Sequence, residues 1–315
     1  MIDYIDPPAG EPMERDRSPE WLDTSSYPFS RRYVSLSAGR IHLVDDGEGT
    51  PIVFSHGTPT WSYEYRHLLA ALRGRHRVIA PDHLGFGLSD RPATADYSPE
   101  AHAARFAELL DRLDLRDVVL VVHDYGGPIA LPWAAAHPER LRGIILINTF
   151  VGPIADPGTR RAARWLGGAF GRFLYRFVNL SLRVILPSAY ADRRKLTSAI
   201  HHHYLMPFTD RRARGVVLHA LARGLLASEP FFARLAASLV RLRTVPAAIL
   251  WGDLDPAFGV RYRDALAVSF PQSKVNSVRS AGHWPHEETP EEVISLVNSQ
   301  LESWVYRSRG QPVSK

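Results

Sequence analysis

Cysteine is absent from this chain of 315 residues. Disulfide bonds, thiolate metal sites and a cysteine nucleophile are therefore excluded by inspection. Long apolar runs are absent as well, because no stretch reaches the roughly 18 residues that a transmembrane helix requires. The first residues, MIDYIDPPAGEPMERDRSPEW, have neither a basic start nor an apolar core and so do not resemble a signal peptide. These absences lead us to expect a cytoplasmic protein.

Acidic residues are scarce in one long segment of the chain. Between residues 151 and 243 there are sixteen Lys and Arg against four Asp and Glu; this segment carries +12 and the whole chain +5, which leaves −7 for the rest. Such a split indicates two structural units. The arginines are spread at helical intervals, which favours a solvated helical surface over nucleic acid binding. Bulky apolar residues among the arginines of 165–187 also suit a lid over an apolar cavity or a weak membrane-surface contact.

Short runs rich in Val and Ile predict eight strands. The runs are RYVSL, RIHLV, PIVFSHG, HRVIAPD, VVLVVHD, GIILINT, AAILWGD and KVNSVRS. Helical patterns such as 98–115 separate most of the later runs, so we expect an α/β fold with a mostly parallel sheet covered on both faces. The roughly ninety residues between the sixth and seventh strands far exceed an ordinary connection and predict an inserted helical cap.

These patterns divide the chain into four parts. We expect an N-terminal extension at 1–30, a main domain formed by 31–150 and 244–307, a helical cap at 151–243 and a short tail at 308–315. The sequence leaves the oligomeric state open.

Chemically active side chains follow the ends of the predicted strands, where ligands bind in parallel sheets. Asp124 ends the fifth strand in VVHDYGG, Asp255 follows the seventh in GDLDP, and His283 follows the eighth in AGHWPHEE. A carboxylate at the tip of a buried strand is costly unless it is paired or used. Asp124 is therefore either a helix N-cap or a nucleophile, and the presence of His283 and of the HGTP motif favours the nucleophile.

The order of nucleophile, acid and histidine resembles that of the α/β-hydrolase fold. HGTP, PDHLGFGLSD, HDYGG, WGDLDP and AGHWPHEE all occur in the family's order, and the resemblance extends from about residue 33 to residue 304. It implies an eight-stranded, mostly parallel sheet flanked by helices, with a cap inserted after the sixth strand. Most members have Ser at the centre of G-x-S-x-G, whereas this chain has Asp124.

An aspartate nucleophile favours displacement at saturated carbon, because its attack on acyl carbon would give an anhydride. The product would be an alkyl ester of Asp124, hydrolysed by water that His283 activates. The resemblance implies that the backbone N–H groups of Thr58 and Tyr125 hold the oxyanion. This chemistry requires no metal or organic cofactor, and its partners are a small apolar electrophile and water.

Two carboxylates compete for the role of orienting His283. The family spacing favours Asp255, and Asp253 is interpreted as a turn residue. Some relatives keep an alternative acid after the sixth strand, but Asn148 at that position cannot supply one.

Among hydrolases with an aspartate nucleophile, the sequence looks most like the haloalkane dehalogenases, through HGTPTWSYEYRHLL, HDYGGP and GHWPHEE. Those enzymes usually hold the halide between a Trp directly after the nucleophile and either an Asn in HGxP or a Trp from the cap. Tyr125 and Thr58 occupy the two main-domain positions here. A developing halide needs N–H or O–H donors, so the candidates are Tyr125, Thr58, Trp61 and the cap residue Trp165.

Other functions stay open beside dehalogenation. An epoxide hydrolase would protonate its substrate with cap tyrosines, and the cap offers Tyr175, Tyr190 and Tyr204. The apolar, basic cap would also suit a β-lactone decarboxylase acting on a lipid-like substrate. A non-catalytic binding relative is disfavoured, because such proteins typically lose a member of the triad. The HHHY run at 201–204 is not expected to bind metal, because consecutive histidines on a helix point to different faces.

Overall fold

The computed structural model describes residues 18–309, with side chains up to residue 304. Residues 1–17 of the predicted N-terminal extension and residues 310–315 of the predicted tail lie outside the described residues. All eight predicted strands are confirmed. They are β1 (Arg31–Leu36), β2 (Gly39–Asp46), β3 (Pro51–Ser55), β4 (Arg77–Pro81), β5 (Val118–Asp124), β6 (Leu141–Thr149), β7 (Ala247–Gly252) and β8 (Lys274–Val278).

The strands form one sheet in the order β1-β2-β4-β3-β5-β6-β7-β8. The pairs β1 with β2 and β2 with β4 are antiparallel, and the other five pairs are parallel. The predicted mostly parallel sheet is thus confirmed. The central strands β5 and β7 are buried along their whole length, as expected for a sheet with helices on both faces. Because strands β3 to β8 run parallel, their carboxyl ends meet at one edge.

Helices cover the sheet and form the cap. The helix that the sequence predicts over 98–115 is α2 (Pro99–Leu113), and the Ser98 hydroxyl caps it by accepting from the N–H of Ala101 at 3.3 Å. The helices outside the cap are α1 (Arg66–Leu72), α2 (Pro99–Leu113), α3 (Gly126–Ala136), α11 (Val260–Ser269), α12 (Pro285–Glu288) and α13 (Pro290–Arg309). Helix α13 runs past residue 307, where the sequence predicted the tail to begin.

The chain between β6 and β7 is helical throughout its regular parts. Its first helix, α4 (Pro157–Gly167), begins where the Asp156 carboxylate accepts from the N–H of Thr159 at 2.7 Å, with Pro157 at the first helical position. The helices of this segment are α4 (Pro157–Gly167), α5 (Ala169–Phe173), α6 (Leu186–Ser188), α7 (Ser198–Leu205), α8 (Arg211–Ala213), α9 (His219–Ala227) and α10 (Glu229–Ser238). Three π-helical turns interrupt them, at Leu174–Val178, Ser181–Ile185 and Arg214–Leu218.

Buried hydrogen bonds join this helical segment to the sheet domain. The side chains of Tyr125, Trp61 and Tyr204 donate across the boundary, at 2.7, 3.0 and 2.7 Å, to the carbonyl of Leu221, the carbonyl of His203 and the carboxylate of Glu287. The helical segment is therefore fixed over the edge where the parallel strands end.

Within residues 18–309, no single helix is long and apolar enough to cross a membrane. One pair of helical segments bent by 70°, Arg211–Ala227 with Glu229–Leu242, passes the same test by length and composition only. Two of its large apolar side chains, those of Leu221 and Phe232, are buried inside the protein.

Candidate active site

Asp124 ends β5 on a sharp turn into α3. Its φ angle is +48°, in the left-handed region that residues other than glycine rarely adopt. Two glycines allow the close packing of this turn: a Cβ at Gly57 would lie 2.4 Å from the Cβ of Asp124, and a Cβ at Gly126 would lie 1.9 Å from the carbonyl oxygen of Ser55. The Thr149 hydroxyl donates to the carbonyl of Asp124 at 2.6 Å. A side chain on such a strained strand-to-helix turn is typical of a nucleophile.

The carboxylate of Asp124 does not cap the following helix. Tyr125 occupies the N-cap position of α3, and no side-chain cap bond is present there. Instead, Oδ1 of Asp124 accepts a hydrogen bond of 2.8 Å from the backbone N–H of Thr58. One of the two predicted oxyanion donors therefore already contacts the carboxylate, and the helix-cap interpretation of Asp124 is wrong.

His283 lies between two carboxylates. Its Nε2 is 3.5 Å from Oδ2 of Asp124, and its Nδ1 is 2.7 Å from Oδ2 of Asp255. By contrast, Asp253 lies 3.5 Å from the guanidinium of Arg263 in the turn after β7. The structure thus brings together Asp124, His283 and Asp255, and it places Asp253 in a surface ion pair.

Asn148, near the end of β6, holds the carboxylate of Asp255 in place. Its Nδ2 donates to Oδ2 of Asp255 at 2.8 Å, and its Oδ1 accepts from the N–H of Gly252 at 2.8 Å. The other carboxylate oxygen of Asp255 accepts from the N–H groups of Ala257 and Phe258. Sequence reasoning treated Asn148 only as a missing acid and overlooked this role. The position of Asn148 indicated this role, because Asn148 lies near the end of β6 and β6 pairs with β7.

The charges around His283 control its protonation. Burial lowers the pKa of His283, but the charges of Asp255 and Asp124 outweigh burial and raise that pKa from 6.5 to about 10. Burial would raise the pKa of Asp255, whereas the charge of His283 and its hydrogen bond lower it. His283 is therefore an imidazolium at neutral pH. Neutralising either carboxylate would lower the pKa of His283.

Glu64, His123 and His286 form a fully buried cluster behind the triad, with one ligand atom of each within 4.8 Å of the others. Nδ1 of His123 lies 3.2 Å from Oε1 of Glu64, and Nε2 lies 2.8 Å from the carbonyl oxygen of His283. Burial would raise the pKa of Glu64, but the charge of His123 and its hydrogen bond lower it to about 2, so Glu64 is ionised.

This cluster has the residue types of a metal site, and its side chains also bind one another. The two ring nitrogens of His123 connect the carboxylate of Glu64 to the backbone carbonyl of His283.

The four candidates for holding a leaving group are placed differently. The Tyr125 hydroxyl donates to the carbonyl of Leu221, and the indole N–H of Trp61 donates to the carbonyl of His203. Each would have to give up an existing hydrogen bond to serve a leaving group. Trp165 is 66% exposed, so its indole faces solvent. Thr58 is the candidate that contacts the Asp124 carboxylate, through its backbone N–H.

The three cap tyrosines also differ in their surroundings. Burial, and then the negative charge of Asp124, raise the pKa of Tyr175. Tyr190 stacks on Trp284 with ring centroids 5.5 Å apart, and Tyr204 donates to a buried glutamate 2.7 Å away. Of the three, Tyr175 is the one whose electrostatic environment includes the carboxylate of Asp124.

The histidines of the HHHY run have separate surroundings. His201 lies 2.8 Å through Nε2 from the carbonyl of Leu182, and His202 is exposed. His203 is buried, stacks on Tyr63 and accepts through Nε2 from a backbone N–H at 3.1 Å. The three rings point to different parts of the protein, as the helical spacing predicts.

The sheet is mostly parallel, and a strained aspartate, a histidine and a second acid lie at one edge of it. This arrangement is that of a hydrolase of the α/β type, with an aspartate where most members have serine. The sequence matches the alpha/beta hydrolase fold family over residues 50–290, and the chain belongs to that family.

Within this family the chain is haloalkane dehalogenase-like. It is 33% identical over 277 residues to haloalkane dehalogenase 2 of Mycobacterium tuberculosis, covering 87% of this chain and 96% of the relative. It is 31% identical over 285 residues to a cis-3-alkyl-4-alkyloxetan-2-one decarboxylase of Shewanella oneidensis, covering 88% and 89%. The structure of the haloalkane dehalogenase DatA from Agrobacterium tumefaciens matches with a TM-score of 0.79 at 27% identity, covering 87% of this chain and 97% of that one.

Proposed function

We propose that this enzyme hydrolyses haloalkanes through a covalent alkyl ester on Asp124. The observation that carries the proposal is the separate placement of the two carboxylate oxygens: Oδ1 accepts from the N–H of Thr58, and Oδ2 faces His283. One oxygen is thus held where an oxyanion would form, and the other is available for attack. The similarity to haloalkane dehalogenase 2 supports carbon–halogen bonds as the substrate class.

In the first step, Oδ2 of Asp124 attacks the halogen-bearing carbon. A carbon–oxygen bond forms, the carbon–halogen bond breaks, and the halide leaves with the bonding electron pair. The negative charge moves from the carboxylate to the halide. Thr58 and Tyr125 are the hydrogen-bond donors that we propose for the halide. Tyr125 would turn its hydroxyl away from the carbonyl of Leu221 to reach the halide.

In the second step, His283 becomes a base because the first step has removed the charge of Asp124. Its pKa of about 10 depends on Asp124 and Asp255 together, so esterification of Asp124 lowers it. The imidazolium proton leaves to solvent, and the neutral imidazole then takes a proton from water, whose oxygen attacks Cγ of Asp124. The N–H groups of Thr58 and Tyr125 hold the oxyanion on Oδ1, and its collapse expels the alcohol, which takes the proton from His283.

Halide release from a panel of brominated and chlorinated alkanes tests the substrate class. We expect bromide release by the natural protein and none above background by Asp124→Asn. Asp253→Asn is the matched control, because it neutralises a carboxylate at the same edge of the sheet that lies in a surface ion pair. Absence of halide release from every alkane, or equal release by Asp124→Asn, would overturn the proposal.

Labelled water tests the covalent step separately from the substrate class. In a single turnover in H₂¹⁸O, the alcohol leaves with the former Oδ2 of Asp124, so the label is expected in the Asp124 carboxylate and not in the alcohol. Label in the alcohol alone would mean direct attack by water on the substrate.

A decarboxylase acting on alkyl-substituted β-lactones is the second candidate function. The similarity to the Shewanella oneidensis enzyme favours it, at an identity close to that of the dehalogenase. Incubation with a cis-3,4-dialkyl-oxetan-2-one distinguishes the two, because decarboxylation gives an alkene and carbon dioxide. Alkene formation without halide release from any haloalkane would replace dehalogenation by this function.

Epoxide opening is favoured by one feature of the cap: Tyr175 is the cap tyrosine whose pKa is raised by burial and then by the charge of Asp124. A phenol in that place could donate its proton to an epoxide oxygen as the ring opens. Diol formation from matched epoxides, lost in Tyr175→Phe, would support epoxide opening.

The cytoplasmic location predicted from the sequence stays a prediction.

A further inference from the structure

The cap carries a surface of exposed aromatic side chains, which we call the aromatic face. Six large apolar residues within 165–184 have between 45% and 66% of their surface exposed. They are Trp165, Phe170, Phe173, Phe177, Val178 and Val184. Phe173 and Phe177 contact each other, with ring centroids 4.9 Å apart.

This clustering sets the cap apart from the rest of the surface. Among the residues whose side chains the structure describes, the exposed Trp and Phe are all on the aromatic face, and the exposed large apolar residues elsewhere are Val and Leu. Single exposed valines need no explanation, whereas a group of exposed aromatic rings marks an interaction surface. Aromatic rings contribute the most buried area when such a surface is covered.

The aromatic face is surrounded by positive charge. The segment 157–187 contains six arginines and neither Asp nor Glu. Arg176 and Arg211 lie over the Phe177 ring, with 5.3 and 5.9 Å between guanidinium carbon and ring centroid. Arg164, Arg172 and Arg183 are exposed along the same segment. An apolar centre with a cationic border is the pattern of a surface that lies in the interface of an anionic bilayer.

We propose that the aromatic face binds membranes that contain anionic phospholipids. The Trp and Phe rings insert between the head groups, to a depth of roughly 5–10 Å, and the arginines pair with lipid phosphates. A second copy of the chain fits the face less well. In a symmetric dimer the same patch meets itself, and the arginines of one copy would face those of the other.

The test is co-sedimentation with phosphatidylcholine vesicles and with vesicles that also contain 30% phosphatidylglycerol, at low and high salt. We expect binding to the anionic vesicles that weakens at least tenfold at high salt, and little binding to pure phosphatidylcholine. The apolar variant is Phe173→Ser with Phe177→Ser, and the charge variant is Arg172→Gln with Arg176→Gln. Each is expected to weaken binding at least tenfold.

Matched controls separate the aromatic face from general properties of the protein. Val268, 78% exposed on α11, gives the apolar control Val268→Ser. Arg116→Gln with Arg279→Gln removes the same charge from exposed positions outside the cap. Both controls are expected to bind vesicles as the natural chain does. All variants are checked for an unchanged thermal unfolding midpoint, since a misfolded variant would also lose binding.

Two outcomes would overturn the proposal. One is the absence of vesicle binding, or a loss of binding in the control variants that is as large as the loss in the variants of the aromatic face. The other is a dimer in analytical ultracentrifugation that dissociates in Phe173→Ser with Phe177→Ser, which would assign the aromatic face to a second copy. The proposal does not depend on the substrate, because vesicle binding is measured without one.

Discussion

Nε2 of His283 lies 3.5 Å from Oδ2 of Asp124. While Asp124 is a free carboxylate, its charge keeps the imidazole protonated, as the pKa of about 10 shows. A protonated imidazole cannot take a proton from water. In the proposed mechanism, His283 therefore becomes a base only after Asp124 has been esterified.

Replacing the nucleophile should change the titration of its neighbour. Asp124→Asn removes one of two negative charges that raise the pKa of His283, so we expect His283 to titrate below the natural value of about 10. Nuclear magnetic resonance of the histidine ring measures this directly. Asp253→Asn should leave the titration unchanged, and a lowered pKa in that control would mean that long-range charge dominates.

The same pKa predicts how stability changes with pH. A folded-state pKa above the unfolded value of 6.5 stabilises the fold fully below pH 6.5, and this contribution is lost as the pH rises through about 10. In Asp124→Asn the loss should be smaller and should end at lower pH. Urea unfolding at a series of pH values between 6 and 10 measures it, and parallel curves for the two proteins would contradict the prediction.

Removing the base should trap the covalent ester. In His283→Phe the attack by Asp124 needs no proton transfer, whereas hydrolysis does. We expect one alkyl group per protein molecule in an intact mass spectrum after incubation with a bromoalkane, with no turnover. The double variant Asp124→Asn with His283→Phe should gain no mass, and an adduct there would place the reaction on another residue.

Asn148 should contribute to stability as well as to the site. Asn148→Ala removes a hydrogen bond to Asp255 and another from Gly252, and it leaves buried groups without partners. We expect a loss of about 1–3 kcal/mol in the free energy of unfolding. Because φ at this residue is +31°, Asn148→Gly serves to separate backbone strain from the lost hydrogen bonds. An unchanged free energy of unfolding in both variants would show that these hydrogen bonds contribute no net stability.

The buried ion pair of Arg66 and Glu287 should be far more important than exposed pairs. Arg66 donates from both terminal nitrogens to Glu287, and both side chains are almost fully buried. Arg66→Met leaves an unpaired buried carboxylate, which costs about 3–5 kcal/mol. Arg194→Ala breaks an ion pair with Asp192 in which the arginine is 91% exposed, and it should not change the unfolding free energy measurably.

The fold could be predicted because its signals are local. The run VVLVVHD is apolar throughout, as a strand covered on both faces must be, and it forms β5. Asp124, Asp255 and His283 could be predicted because each lies at or a few residues after the end of a strand at the same edge of the sheet. The sequence also predicted a helical insertion, but it contained no sign of the three π-helical turns that interrupt it.

The leaving-group donors could not be predicted in the same way. Whether the hydroxyl of Tyr125 is free depends on Leu221, which lies 96 residues further along the chain. Likewise, the link from Glu64 through His123 to the backbone of His283 joins three distant segments. Such contacts arise from how the cap and the loops pack, and no spacing within one segment indicates them.

The cap leaves the sheet domain once, after Thr149, and the chain returns at Ala247. Asp124, Asp255 and His283 all lie outside that interval. Recombination at these two points would therefore exchange the helical segment as one unit and leave the residues of the proposed triad in place. The incoming segment would have to match the contacts across the boundary, among them those of Tyr125 with Leu221, Tyr204 with Glu287, Trp61 with His203 and Ser228 with Glu100.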